Sequence, residues 1–366
     1  MRTLAVLTEQ RLAPVPGGTG RYAGQLAAAL VAGAPAGWRV RTLTAWHRDT
    51  AAARAQGADH RRLPAGRRAL AVLWQHGLPP WPHGDSVHAT TPLAPRRGRR
   101  PVVATVHDMV AWTDPHTLTS RGVTWHRAMI TRIARTADGI VVPTQVVADQ
   151  LRERFPVGDR LHVIGHGVST LPVPADAAER RRRLGVPDGT RYVLFLGTVE
   201  PRKGLDVLIE AMAREALADV ALLAIGPPGW GRVDAAQLAA AAGLPPERLH
   251  LAGRRGDADI AAALAGASVL AMPSRAEGFG LPVLEAMAAG VPVVHSSAPA
   301  LAEVAGGCGV QVPVGDPSAL ADGLAQVLGD ASLAARLADA GRRRAAEFSW
   351  SNAARLTWNI HLAAGR

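Results

Sequence analysis

The sequence predicts an α/β protein of two doubly wound, Rossmann-like domains, and three observations carry that prediction. The 366 residues exceed what one hydrophobic core usually supports, so two domains of about 170 to 200 residues are expected. Short apolar runs alternate with helical patterns along the chain, the rhythm of parallel sheets covered by helices. The rhythm restarts after Val168–Ala175, where Pro172 and Pro174 stiffen a linker. The expected division is therefore 1–170 and 171–349, with a terminal helix from residue 350 onward.

In the first half, candidate strands are Thr3–Leu7, Arg39–Thr44, Ser86–Ala89, Val102–Val106, Gly139–Val142 and His162–Ile164. Helical patterns cover Arg21–Val31, Arg121–Arg135 and Thr144–Phe155. Between the first strand and first helix lies PVPGGTGRY, with Gly17, Gly18 and Gly20. Its glycine spacing is not the dinucleotide fingerprint, and a plain flexible loop is the simpler reading. Standing before a helix, the loop still offers backbone N–H groups to a phosphate or an acceptor. His107 and Asp108 follow the apolar run PVVATV, at the carboxyl end of a strand, where open α/β sheets bind ligands. A His-Asp pair is also a common capping or buried hydrogen-bonded pair. His88 stands at another strand end and is expected on the acceptor side.

A charged helix, Ala178–Leu184, opens the second half; its run Arg180–Arg183 reads as a solvated face. Strands follow at Tyr192–Leu196, Val220–Ile225, Leu249–Leu251, Ser268–Ala271, Val293–His295 and Val310–Val312, with helices between them. The segment Gly197–Gly204, GTVEPRKG, comes after the first of these strands and before a helix at Leu205–Leu217. Arg202 and Lys203 therefore stand at the sheet's carboxyl edge. Lys203 is the only lysine among 41 basic residues, which points to a place where a compact ammonium is not interchangeable with a guanidinium. Leu251-Ala-Gly-Arg254 ends a further strand. Helices at Ala319–Leu328, Ser332–Glu347 and Trp350–Ala363 close the chain.

The most informative stretch is Pro273–Pro292, PSRAEGFGLPVLEAMAAGVP. Glu277 lies in a loop and Glu285 lies one turn into a helix that Pro282 opens and Gly290 and Pro292 end. Both carboxylates are then expected at one cleft, beside a helix N-terminus whose free N–H groups favour an anion such as a diphosphate. The alternative is an ordinary amphipathic helix with solvated glutamates.

Composition narrows the classes. The chain is 48% hydrophobic and 19% charged, which excludes wholesale disorder. One cysteine, Cys308, excludes an intrachain disulfide and fits a reducing, cytoplasmic compartment. No apolar run reaches the roughly 18 residues of a membrane span, and Met1–Leu7 reads as a first strand rather than a signal peptide. Residues 1–171 hold 22 Arg against 10 Asp and Glu, a net +12; the remainder holds 19 Lys and Arg against 20 acids, a net −1. A basic half beside a neutral half implies an anionic partner for the first: a membrane surface, a phosphate-bearing acceptor or nucleic acid. The basic positions lack the interleaved aromatics of a single-strand platform, so nucleic acid is not expected.

The segments PGGTGRY, TVHD, GTVEPRKG, PSRAEGFGLPVLEAMAAGVPVV and the late FSW resemble the retaining glycosyltransferases of family 4. That resemblance implies the GT-B fold, two Rossmann-like domains facing a central cleft, with residues 350–366 crossing back to pack on the first. It implies front-face transfer of a hexose from a nucleotide-sugar to a glycan, lipid-linked or phosphate-bearing acceptor, with no metal or other cofactor required. Carried over residue by residue, Arg202 and Lys203 hold the donor diphosphate, Glu277 the sugar hydroxyls and Glu285 the ribose. His107 lies near the donor sugar. Gly18, Gly197, Arg254, Gly278, Phe279, Gly280 and Leu281 complete the donor side, and Gly20, Arg21, His88 and Asp108 the acceptor side. Thr198 stands where many members carry a basic residue, one fewer cation for the phosphates. GGTGRY with GTVEPRKG is similar to bacterial mannosyltransferases that use GDP-mannose, and a UDP-sugar is the alternative. The basic half places the enzyme at the cytoplasmic face, peripheral to an anionic membrane. Rival readings are a nucleotide-sugar binding protein without turnover and a sugar-nucleotide epimerase of the same fold.

Overall fold

The computed structural model describes residues 1–231 and 233–365. Internal contacts divide them into two units, one comprising residues 1–167 with the segment from Ser349 onward, the other Val168–Phe348.

The first unit is built on β1 (Arg2–Leu7), β2 (Trp38–Thr44), β3 (Asp59–Arg62), β4 (Ser86–Ala89), β5 (Val102–Thr105), β6 (Gly139–Val142) and β7 (Leu161–Val163). All pair in parallel, in the order β3-β2-β1-β4-β5-β6-β7. The covering helices are α1 (Gly17–Ala32), α2 (Arg67–Gln75), α3 (Val110–Thr113), α4 (Ser120–Thr136) and α5 (Gln145–Arg152). The two central runs, β4 and β5, are buried along their length, as a strand covered on both faces requires. Polar caps fix helix starts: the Thr119 and Thr144 hydroxyls accept from Gly122 and Val147 N–H at 3.0 and 3.3 Å.

Three elements differ from expectation. β3, Asp-His-Arg-Arg, carries no apolar signal because it is an edge strand with one neighbour, held from the side by Arg41 on Asp59 at 3.3 Å. α2 is not foreseen either; only Leu70 and Trp74 of its RRALAVLWQ are buried. α1 starts at Gly17 rather than Arg21, because Pro16 already holds φ −63 and ψ −38 and its carbonyl accepts from Gly20 N–H at 2.9 Å.

In the second unit β8 (Tyr192–Leu196), β9 (Ala221–Ile225), β10 (Leu249–Gly253), β11 (Val269–Met272), β12 (Val293–Ser296) and β13 (Val310–Val312) form a parallel sheet ordered β10-β9-β8-β11-β12-β13. Its helices are α6 (Ala177–Arg183), α7 (Leu205–Met212), α8 (Ala235–Ala242), α9 (Asp257–Gly266), α10 (Leu281–Ala288), α11 (Pro299–Ala305), α12 (Pro317–Gly329) and α13 (Ala331–Ala346). Asp316 caps α12 by accepting from Ser318 and Ala319 N–H, with Pro317 in the first turn. Among the described residues, no helix is long and apolar enough to cross a membrane.

The last helix, α14 (Trp350–Ala364), belongs to the first unit and packs on α1. Trp358 donates to Leu30 O at 3.1 Å and meets Trp38 edge-on at 5.6 Å. His361 joins a buried polar chain: Ser86 Oγ to His361 Nδ1 at 2.7 Å, His361 Nε2 to His88 Nδ1 at 3.1 Å, His88 Nε2 to Thr105 Oγ1 at 3.3 Å, and Thr105 Oγ1 to Tyr22 OH at 2.9 Å. This corrects the expected place of His88. It is fully buried with both ring nitrogens engaged, so it anchors α14 to the sheet and faces no ligand.

Burial pushes His88 down to about 3 and pulls His107, His166 and His361 below the ordinary imidazole value. His88 is therefore neutral in the folded unit at pH 5 and takes a proton on unfolding, and the other three shift in the same direction. The His88 contribution is fully present above the unfolded pKa of about 6.5 and is lost as pH falls from there towards 3, at about 1.4 kcal/mol per pH unit. Urea unfolding followed by tryptophan fluorescence is expected to show at least about 2 kcal/mol less stability at pH 5 than at pH 7.5. A flat profile between those values contradicts the neutral network.

Candidate functional site

In an open parallel sheet the crevice lies where strand order reverses, and in the second unit that point falls between the neighbours β8 and β11. The loop after β8 brings Arg202 and Lys203 in a single helical turn, Pro201–Lys203. The loop after β11 brings Ser274, Arg275 and Glu277. The loops interlock at Gly204, whose φ of +70 is left-handed and where a Cβ would lie 2.2 Å from Pro273 O. Arg275 completes the junction. Its N–H donates to Arg202 O at 2.8 Å, its guanidinium to Pro201 O at 2.6 Å, and both of its terminal nitrogens grip the Asp206 carboxylate at 2.9 and 2.6 Å.

Within this frame the Glu277 side chain is 7% exposed. Its Oε1 accepts from Lys203 Nζ at 2.5 Å and Ser274 Oγ at 2.9 Å, and its Oε2 from Arg202 at 3.1 Å. Arg202 also donates to Ala276 O at 2.9 Å and to Glu200 at 2.8 Å. Burial pushes the Glu277 carboxyl up, but Lys203 and Arg202 more than offset it and bring it down to about 2. Burial pulls the Lys203 ammonium below its ordinary value against the opposing effect of Glu277. Glu277 is thus ionised at neutral pH, one buried carboxylate shared by Lys203 and Arg202.

The other residues expected on the donor side stand around it in different ways. Gly280 takes φ +93 at the start of α10, where a Cβ would meet Leu301 at 2.4 Å. Phe279 and Leu281 put their side chains into the core, Phe279 edge-on to Phe348 at 5.8 Å, so neither side chain faces a ligand site. Gly278 is buried, and Glu285 is half-buried on the second turn of α10. Gly197 leaves β8 with its N–H on Ile225 O at 3.0 Å, and Arg254 is exposed after β10. Ser274, Arg275 and Glu200 were not singled out from sequence. Their signal is position alone, each within three residues of a residue that was.

The first unit carries a cavity of about 1180 Å³ at the carboxyl edge of its sheet. His107 and Asp108 line it together with Glu9, Gln10 and His47, and with residues of α2 and α4. His107 Nε2 bonds Thr90 O at 2.8 Å, and since a carbonyl only accepts, this nitrogen carries the proton. Its Nδ1 is therefore the acceptor for His166 Nε2 at 3.3 Å. Both ring nitrogens are engaged, so a bond from His107 to a sugar hydroxyl requires one partner to be exchanged. Asp108 accepts from Val110 N–H at 3.1 Å. Glu9 is buried, accepting from Ala45 N–H and pairing with His47, both at 2.8 Å. Gly20, Arg21 and His88 do not line this cavity; Gly18 and Gly20 lie in the first turns of α1 and Gly20 is buried.

Comparison with known proteins follows the same division. A model of Glycosyltransferase Family 4 matches residues 16–170, and one of glycosyl transferases group 1 matches residues 176–344. A phosphatidyl-myo-inositol mannosyltransferase of Mycobacterium leprae is 35% identical over 286 residues, 73% of this chain and 70% of that protein. A D-inositol 3-phosphate glycosyltransferase of Salinispora arenicola is 35% identical over 239 residues, 60% of this chain. The chain spans about half the length of that relative, 53%. Among solved structures, sucrose-phosphate synthase of Thermosynechococcus elongatus superposes with a TM-score of 0.76 at 22% identity, over 99% of both chains. Anabaena HepE, solved with UDP and glucose, gives 0.77 at 20% identity, over 99% of this chain and 100% of that one. At such identities the likeness shows the fold.

Proposed function

Since this chain belongs to the family 4 glycosyltransferases, we propose that it moves a hexose from a nucleotide-sugar held by the second unit to an acceptor held by the first, with retention at the anomeric carbon. The observation that carries this reading is the buried cluster of Lys203, Arg202 and Glu277 on two loops at the strand-order reversal. It supplies two cations where a diphosphate leaving group builds charge, beside the positive end of the α10 dipole. Front-face displacement then needs no side-chain nucleophile, the departing diphosphate taking the acceptor proton. The name of the Mycobacterium relative supports mannose, and hence GDP-mannose; the UDP-bound HepE structure keeps a UDP-sugar as the second reading. The net +12 of residues 1–171 supports an acceptor at, or an association with, an anionic membrane surface.

The cluster also sets the order of events. Without ligand, Glu277 occupies the donor bonds of both cations. A diphosphate takes over Lys203 and Arg202, and the released carboxylate turns to the sugar hydroxyls. Glu285, one turn into α10, is the residue assigned to the ribose.

Lys203→Ala and Glu277→Ala are each expected to lower transfer roughly 100- to 1000-fold while the protein still melts cooperatively. Normal turnover by either purified variant, measured as release of GDP or UDP, contradicts the assignment. Glu277→Gln separates the two roles of the carboxylate. It keeps the shape but weakens the competition for the cations, so calorimetry is expected to show GDP or UDP bound about tenfold more tightly as transfer falls. Unchanged or weaker nucleotide binding refutes the exchange. Transfer is expected to survive excess EDTA, and a loss restored by a divalent cation would show that the two side-chain cations do not suffice.

A further inference from the structure

The cavity of the first unit extends into the groove between α2 and α4, two neighbouring helices whose first turns lie at the carboxyl edge of the sheet. Those turns bring Arg67, Arg68 and Arg121 to its mouth. Arg67 is partly engaged, donating to Gln10 at 3.3 Å and standing 3.9 Å from Glu9. Glu9 offers little more, since it is buried and already bonded by Ala45 and His47. Arg68 and Arg121 are exposed and, among the described residues, neither has a carboxylate within ion-pair distance. The first turn of α2 also has no side-chain cap, which leaves its N–H groups open.

Beyond the mouth the groove changes character. Ala71 and Val72 on one side, and Trp125 and Ile130 on the other, make apolar walls. Val72 is 48% exposed, unusual for a valine on a helix that buries its other apolar face. Among the described residues the buried indole N–H of Trp125 has no acceptor, a donor that an oxygen of a bound molecule would satisfy. The volume of about 1180 Å³ is above the roughly 300 to 1,000 Å³ usual for a drug-sized ligand, so a head group alone would leave much of it empty.

We propose that this groove binds an anionic amphiphile, a phosphate group against Arg68 and Arg121 with its apolar chain along α2 and α4, and that the acceptor is accordingly a lipid-linked phosphate. The inference rests on the reading that the first unit holds the acceptor and goes beyond it by fixing the acceptor's chemistry. A water-soluble sugar phosphate shares the head group, and the apolar walls are what favour the lipid.

The test uses the full chain and calorimetry with dihexanoyl phosphatidic acid below its micelle concentration, dihexanoyl phosphatidylcholine and glycerol 3-phosphate. The anionic lipid is expected to bind at least about tenfold more tightly than either of the others. Arg68→Ala and Arg121→Ala are each expected to weaken it by about tenfold, and the uncharged Val72→Asn to weaken it while leaving glycerol 3-phosphate unchanged. Equal binding of glycerol 3-phosphate and the lipid overturns the amphiphile in favour of a soluble phosphate. Unchanged binding of the lipid by a folded double arginine variant overturns the anion site. GDP and UDP titrated into the same wild-type preparation separate the two levels: nucleotide bound without lipid refutes this inference alone, whereas neither bound refutes the reading beneath it.

Discussion

Glu277 is a carboxylate almost out of water, and a charge in that position is tolerated only if its partners are close and its lone pairs are filled. Lys203, Arg202 and Ser274 meet that requirement, and they come from two stretches of chain that lie more than seventy residues apart. Sheet order makes the meeting possible. β8 and β11 are neighbours because the chain reverses its winding between them, so the loops leaving their carboxyl ends emerge side by side. The resulting group is held in place by its own electrostatics. Removing one member would leave the remaining charges with fewer partners, which ties the geometry of the site to the identity of all its members.

That cluster would be loose if the two loops were free to part. Arg275 keeps them from parting by bonding three features of the opposite loop at once: the Arg202 carbonyl, the Pro201 carbonyl and the Asp206 carboxylate. A lysine there would supply charge but not the fork that reaches a carbonyl and both carboxylate oxygens together. Arg275, which sets the spacing, stands two residues before Glu277 and bonds the backbone next to Lys203 on the other loop. The short distances within the cluster follow from that arrangement.

Much of this was legible. β8 and its loop read directly from YVLFL followed by GTVEPRKG, because a fully buried central strand is a continuous apolar run and a glycine-bounded turn ends it. PSRAEGFGLP likewise identified the second loop, its helix start misplaced by one residue because Leu281 rather than Pro282 begins α10. What failed did so for definite reasons. β3 is polar because an edge strand faces water, and α2 buries too few side chains for its period to stand out. His88 sits at a strand end like a ligand-binding residue, but its partner His361 is 273 positions away, and no local pattern announces such a pair. The first unit's cavity was legible only at His107 and Asp108, because Glu9, His47 and α2 reach it from loops and helices that share no motif.

The two units handle charge in opposite ways, and this difference bears on how each would accept a ligand. In the second unit the cations are paired with Glu277, so an anion engaging both would compete with a resident carboxylate and gain less than at unpaired cations. Displacement makes such a site selective: a weak anion does not repay the lost Glu277 bonds, whereas a diphosphate offers several oxygens to both cations at once. In the first unit Arg68 and Arg121 are exposed and, among the described residues, have no carboxylate at ion-pair distance, so an anion there replaces only water and counterions. An open cationic mouth of this kind discriminates poorly among anions by charge alone. Selectivity must then come from what lies next to the charge, which in this unit is the apolar wall of Ala71, Val72, Trp125 and Ile130.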